Sequence, residues 1–155
     1  MKKILHIIVS MAVGGAEKLL AAVILALPMF DNHLILLSNH DDTLLKDIPA
    51  SACKVTKLDF KSYKDVLRIT KKVRKYIKEN EIDIIHSQLY WSHIVARLAA
   101  KKNAKVFNTL QAINSKASYE VNKMTLYLDK LTYKKYHHII GVSEEVLADF
   151  DKWVG

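Results

Sequence analysis

Residues 14–17, Gly14-Gly15-Ala16-Glu17, lie between an aliphatic run at residues 4–9 and an apolar stretch that ends near Pro28. Adjacent glycines have no Cβ, so backbone N–H groups there can come close to a ligand. The N-terminus of a helix that follows favours an anion such as a phosphate. Glu17, in the first turn, suits the helix dipole but opposes a second negative charge beside it. A plain tight turn is the competing reading, since the sequence holds neither Gly-x-Gly-x-x-Gly nor a Walker string. His86 closes a second aliphatic run, and there a ligand contact competes with a core histidine whose ring nitrogens are satisfied. His86 and His93 alone are too few for zinc, and the histidines at 6, 33, 40, 137 and 138 add no ligand spacing, so no metal is expected. Asp149-Phe150-Asp151 spells a metal-nucleotide string, but it falls at a helix tail and reads as a solvated helix end. Cys53 is the single cysteine, which excludes an internal disulfide and fits a reducing compartment.

These residues need a scaffold, and the pattern supplies one. Apolar runs at 4–9, 33–38, 54–58, 82–86, 104–109 and 138–142 alternate with helical patterns. The helices are expected from the glycine pair to Pro28, at 63–78, 89–102 and 115–136, and after a Ser143 cap; residues 39–52 form a polar loop. Short aliphatic strands spaced by helices define βαβ units. The expected fold is α/β: one Rossmann-like domain, a mostly parallel sheet of about six strands with helices on both faces. The 155 residues suit one domain over residues 1–155. Ligands of such sheets sit beyond the carboxyl ends of the strands. The rim is therefore expected at residues 10–17, 38–42, 87–90, 110–115 and 143–144.

The net charge of +8 favours anionic partners. Residues 61–78 place Val66, Ile69, Val73, Tyr76 and Ile77 on one helical face. Lys61, Lys64, Arg68, Lys71, Lys72, Lys75 and Lys78 lie on the other, with Arg74 flanking. The apolar stripe packs on the sheet. The basic stripe is either solvated or meets anionic lipid, where each cation contributes about 1 kcal/mol. Lys64, Arg68, Lys71, Lys72 and Lys75 are the membrane-facing candidates, and residues 130–136 could extend the patch. Nucleic acid is not the expected partner: there are three arginines, no zinc knuckle, no RNP-type aromatic strand and no basic tail. Met1-Lys2-Lys3 and the apolar run after it have the look of a secretory signal. His6 and Glu17-Lys18 interrupt that run, so a strand and a helix are expected instead. No apolar stretch reaches the ~18 residues of a membrane span.

Four segments together carry a family resemblance. Ile4-Leu-His-Ile-Ile-Val-Ser-Met-Ala-Val-Gly-Gly-Ala-Glu-Lys-Leu-Leu resembles the opening of family-4-type glycosyltransferases of the GT-B fold. Glu81-Ile-Asp-Ile-Ile-His-Ser-Gln is similar to their fourth-strand end, and Lys105-Val-Phe-Asn-Thr-Leu-Gln to their fifth strand. His138-Ile-Ile-Gly-Val-Ser-Glu-Glu-Val resembles the run closing their N-terminal domain. Two positions depart from the pattern. Gln88 and Gln111 stand where the family often has histidines, and glutamine exchanges hydrogen bonds but does not titrate.

The resemblance implies transfer of a sugar, of hexosyltransferase type and with retention, from a nucleoside-diphosphate sugar to a glycan or lipid-linked acceptor. This chain would be the acceptor-side half. The nucleotide and the main catalytic residues would belong to a C-terminal donor-binding domain, expected to be absent here and to act in cis or in trans. The isolated chain would then be inactive and bind no cofactor of its own. Gly14, Gly15, Glu17, His86, Gln88, Thr109, Gln111 and Ser143 would face substrate or phosphate. The implied setting is polysaccharide biosynthesis in the cytoplasm, peripheral on the inner face of the cytoplasmic membrane if the basic face meets lipid. A non-catalytic subunit that binds acceptor or membrane and pairs with a separate donor-binding chain is the alternative, followed by an unrelated Rossmann-like binding domain.

Overall fold

Alternate residues of a strand point to opposite faces of a sheet. In strand β1, Lys3–Ile8, both sets are buried: Leu5 and Ile7 on one side, His6 and Ile8 on the other. Such double burial requires cover on both faces, the condition under which parallel sheets form. The computed structural model describes residues 1–101, 104–113 and 123–155. Its other strands are β2 (Asp31–Leu36), β3 (Lys54–Lys57), β4 (Ile84–Gln88), β5 (Lys105–Leu110) and β6 (His138–Gly141). They form one sheet in the order β3-β2-β1-β4-β5-β6, with every neighbouring pair parallel.

The helices are α1 (Gly15–Ala26), α2 (Val66–Glu79), α3 (Tyr90–Ala99), α4 (Lys123–Thr132) and α5 (Glu144–Trp153). Leu5, Ile7, Ile35 and Ile85 pack with Ile69, Val73 and Ile77 of α2 and with Val95, Ala96 and Ala99 of α3. On the opposite face, Ile8, Leu34 and Leu36 pack with Ala16, Leu20, Ala21 and Ile24 of α1. A third cluster joins Leu110 to Val146, Phe150 and Val154 of α5, with Tyr133 against it. Full burial of one such aliphatic side chain contributes roughly 1.5–3 kcal/mol. Among the described residues, α1 alone lies on the His6 face.

Several expected boundaries move; the second strand, expected at 33–38, occupies Asp31–Leu36. The fourth strand occupies Ile84–Gln88, two residues later than expected, because its ladder to β5 runs up to Gln88 opposite Thr109. Ser87 and Gln88 are therefore strand residues with fixed directions. The expected helix at 115–136 is described from Lys123 and stops at Thr132; its 115–122 portion lies outside the described residues. The stop has a local cause: the Thr132 hydroxyl donates to the Leu128 carbonyl, and the His137 ring and backbone then close a turn on Lys134. The expected helix at 63–78 begins as a 3-10 turn, Tyr63–Asp65, before α2, and the Asp65 carboxylate accepts from the Lys61 and Ser62 N–H groups.

Candidate functional site

From β1 the chain steps outward to β2 and β3, then returns to β4 on the other side of β1. The connections after β1 and β4 thus diverge, which opens a crevice at the carboxyl edge between those two strands. That edge receives residues 10–17 from β1, Gln88 from β4 and Gln111 from β5.

A polar chain crosses the sheet at this point. The Asn32 amide Nδ2 on β2 donates to the Leu27 and Phe30 carbonyls at 2.9 and 3.3 Å. Its Oδ1 lies 3.2 Å from His6 Nε2, and His6 Nδ1 lies 3.0 Å from His86 Nδ1 on β4. His86 Nε2 is 2.9 Å from Thr109 Oγ1 on β5. Every member is nine-tenths buried or more. Burial lowers the His6 imidazole to about 3, the neighbouring His86 adding to the effect and the Asn32 hydrogen bond opposing it. Burial likewise lowers His86 to about 4. Both rings are neutral at neutral pH, so they give the site hydrogen-bonding direction and no positive charge. His86 thus lies in the groove with both ring nitrogens engaged, and His6 is its partner, a residue whose spacing alone drew no attention. The available signal was a histidine in each of two aliphatic strands that flank the reversal of strand order.

Gln111 Nε2 donates to Gln88 Oε1 at 3.0 Å, so the two glutamines in the histidine positions are bonded to each other. Gln88 is wholly buried, and its own Nε2 has no partner among the described residues. Leu89 follows with φ 69° and ψ 150°, a conformation glycine favours; strain of this kind costs about 1–3 kcal/mol and recurs at functional sites. Beside these residues an open groove of about 420 Å³ runs between Leu19 of α1 and Ile140 of β6, with His6, His86, Gln88 and Thr109 in its lining. That volume lies within the usual range of ligand sites.

The glycine pair differs from a turn that only glycine could make. Gly14 is extended (φ −154°, ψ 173°), and no described glycine has positive φ. A methyl group on Gly15, the first residue of α1, would meet nothing within 4 Å, whereas one on Gly14 would strike the Glu17 carboxylate. Glu17 is buried and folds back against Gly14, so its own negative charge occupies the first turn of α1. Ser143 is exposed and accepts from the Val146 N–H at 3.3 Å as the cap of α5; it sits after the edge strand β6, two strands from β4.

Behind the site, on the opposite face of β4 and β5, lies a second buried polar set. Arg97 Nε donates to Asn108 Oδ1 at 2.7 Å, and Asn108 Nδ2 donates to Ser87 Oγ at 2.6 Å. Ser87 Oγ is 2.9 Å from His93 Nδ1, and Arg97 Nη1 is bonded to the Asp129 carboxylate. The guanidinium also faces the Tyr133 and Phe150 rings. An arginine within the apolar stretch of α3 was the signal for this set.

On α2 the basic face is exposed, as the helical spacing predicts. Arg68 is bonded to Asp59 and Asp65, Lys72 to Asp59, and Lys75 to Glu79. Lys64 and Lys71 make no ion pair among the described residues, and Tyr63 and Leu67 beside them are 54% and 71% exposed. No helix among the described residues is long and apolar enough to cross a membrane.

An all-parallel sheet in this order defines a doubly wound α/β domain. The sequence pattern of Glycosyltransferase Family 4 matches residues 13–155, and the chain belongs to that family. Among solved structures it is similar to a glycosyltransferase from Rickettsia africae ESF-5, at TM-score 0.65 and 19% identity, over 96% of this chain and 39% of that one. It is also similar to sucrose-phosphate synthase from Thermosynechococcus elongatus, at TM-score 0.71 and 15% identity, over 99% of this chain and 46% of that one. The chain thus spans less than half the length of both structures, and at these identities the likeness bears on fold alone. No curated protein matches the sequence.

Proposed function

We propose that this domain forms the acceptor side of a glycosyltransferase that moves a sugar, with retention, from a nucleoside-diphosphate donor to a glycan or lipid-linked acceptor. The observation that carries the reading is the family match over residues 13–155, in a chain whose neutral hydrogen-bonding residues gather at the β1–β4 crevice. Neutral hydrogen-bonding groups suit the holding of hydroxyl groups, while charge stabilisation of a leaving phosphate falls to donors elsewhere. In this reading Gly15 leaves open space for the approach of donor phosphate or acceptor, and Gln88, Thr109 and Gln111 line the sugar side. A donor-binding half, in cis or in trans, holds the nucleotide, and closure of the two halves completes the site. The test is a nucleotide-sugar panel run on this chain alone and on a polypeptide that joins it to such a half. Transfer only in the joined form supports the reading. Transfer by the pure 155-residue chain would overturn the division of labour, and no transfer in either form would overturn the activity.

A second reading concerns location. Tyr63 and Leu67, exposed among Lys64 and Lys71, make α2 resemble a surface that meets lipid headgroups. The protein would then sit peripherally on the inner face of the cytoplasmic membrane, close to a lipid-linked acceptor.

A further inference from the structure

We propose that Asn32, His6 and His86 are positioning residues: they order the protons of a chain that ends on Thr109, so that Thr109 Oγ1 offers only lone pairs to a ligand hydroxyl held against the Gln88 amide. The inference rests on the reading of this crevice as a sugar-handling site and names the chemistry that it recognises.

The order of protons follows from one end. Asn32 Nδ2 faces two backbone carbonyls, which can only accept. Asn32 Oδ1 is therefore the group that faces His6, and His6 Nε2 must carry the hydrogen. A neutral imidazole has one N–H, so His6 Nδ1 is bare and accepts from His86 Nδ1. His86 Nε2 is then bare in turn and accepts from the Thr109 hydroxyl. With that hydrogen committed inward, the Thr109 oxygen can only accept from anything on its other side. Burial keeps both imidazoles uncharged at neutral pH, which preserves the order.

Gln88 and Thr109 are direct partners in the β4–β5 ladder, so their side chains stand side by side on one face. Gln88 Oε1 is taken by Gln111, and its Nε2 is buried without a partner among the described residues. The pair therefore presents one acceptor-only oxygen and one donor-only nitrogen. A hydroxyl group, which donates and accepts at once, complements both. A phosphodiester anion, which has only acceptors at neutral pH, would meet the Thr109 lone pairs. The Thr109–Gln88 pair thus favours a neutral hydroxyl over an acceptor-only anion at β4 and β5.

The experiment is nitrogen-15 NMR of the histidine rings and the glutamine side-chain amides of this chain, with methyl glucoside and dimethyl phosphate as separate probes. The expected spectrum has His6 protonated at Nε2 and His86 at Nδ1. Methyl glucoside should shift the Gln88 amide, and dimethyl phosphate should leave it unmoved. Thr109→Val should weaken the sugar response about fivefold, the value of one ordinary hydrogen bond, and Thr109→Ser should restore it. Either histidine in the opposite tautomer would overturn the proton order. A Gln88 amide that follows dimethyl phosphate, or ignores the sugar, would overturn the hydroxyl site. If Thr109→Val fails to fold, the tautomers and the two probe titrations of the unsubstituted chain still decide. The tautomers speak for this inference alone, whereas the donor panel on the joined polypeptide tests the transferase reading.

Discussion

Arg97 of α3 and Asp129 of α4 form an ion pair whose side chains are 0% and 2% exposed. Burial raises the Asp129 carboxyl, and the guanidinium beside it opposes that rise. The pair, with Asn108 and Ser87 behind it, ties α4 to the sheet through α3. Removal of one partner leaves a buried charge without compensation. Asp129→Ala should cost about 3–5 kcal/mol in urea unfolding, while Glu79→Ala, which breaks the exposed Lys75–Glu79 pair, should cost ~0.5 kcal/mol or less. Equal losses in the two variants would contradict the burial argument.

Acid should unfold the domain earlier than its carboxylates alone require. His86 has a value of about 4 in the folded protein against 6.5 when free, and His93 is lowered well below 6.5 in the same sense by burial. As pH falls from 6.5 towards 4, the unfolded chain takes up these protons and the folded chain does not, so stability falls with pH. For His86 the loss is about 1.4 kcal/mol for each pH unit crossed, or roughly 3 kcal/mol in all. Above pH 7 these histidines are neutral in both states and contribute no slope. Urea midpoints at pH 7.5, 6 and 5 check this; a flat series would mean that the rings are hydrated and titrate freely.

Gly15→Val should leave the fold intact, because its side chain would point into open space. The expected penalty is that of a β-branched residue in the first helical turn, where it replaces glycine, and is within ~0.5 kcal/mol. In a polypeptide competent for transfer, the same variant should lower kcat/KM by about tenfold or more, through blocked approach at that surface. Unchanged turnover would remove Gly15 from the mechanism.

Charge reversal at Lys64 and Lys71 should weaken sedimentation with anionic vesicles more than reversal at Lys72 and Lys75, since the latter two are already paired to Asp59 and Glu79. Each effective cation contributes about 1 kcal/mol near such a surface. Binding that ignores all four lysines would assign the basic face to solvation.

The periodicity of the chain made the parallel sheet and its helices legible, since six short aliphatic runs between helical patterns admit few other folds. Boundaries were less so. Asp83 reads as part of the fourth strand, yet the ladder to β1 and β5 begins at Ile84, because pairing partners and not local propensity decide the ends. His86 stood out because it ends an apolar run, whereas His6 passed as one more histidine; only the adjacency of β1 and β4 joins them. The glycine pair suggested a tight turn, but Gly14 is extended and Gly15 helical, so what Gly15 leaves is space. Arg97 was not singled out, because its burial depends on Asn108 of β5, 11 positions on, and on Asp129 of α4, 32 positions on.

The hydrogen bond between His6 and His86 joins residues 80 positions apart. On a ribosome, β1 emerges before both of its neighbours and finds the nearer one in sequence after about thirty residues, in β2. Its other edge stays open until β4 has been made. A nascent chain therefore carries a long-lived unpaired strand edge with strongly apolar side chains, and closure of the sheet centre awaits a loop whose entropy must be overcome late. Refolding of this domain should thus be slow at its middle and quick at its β2–β3 margin, with β1 among the last strands to be sealed.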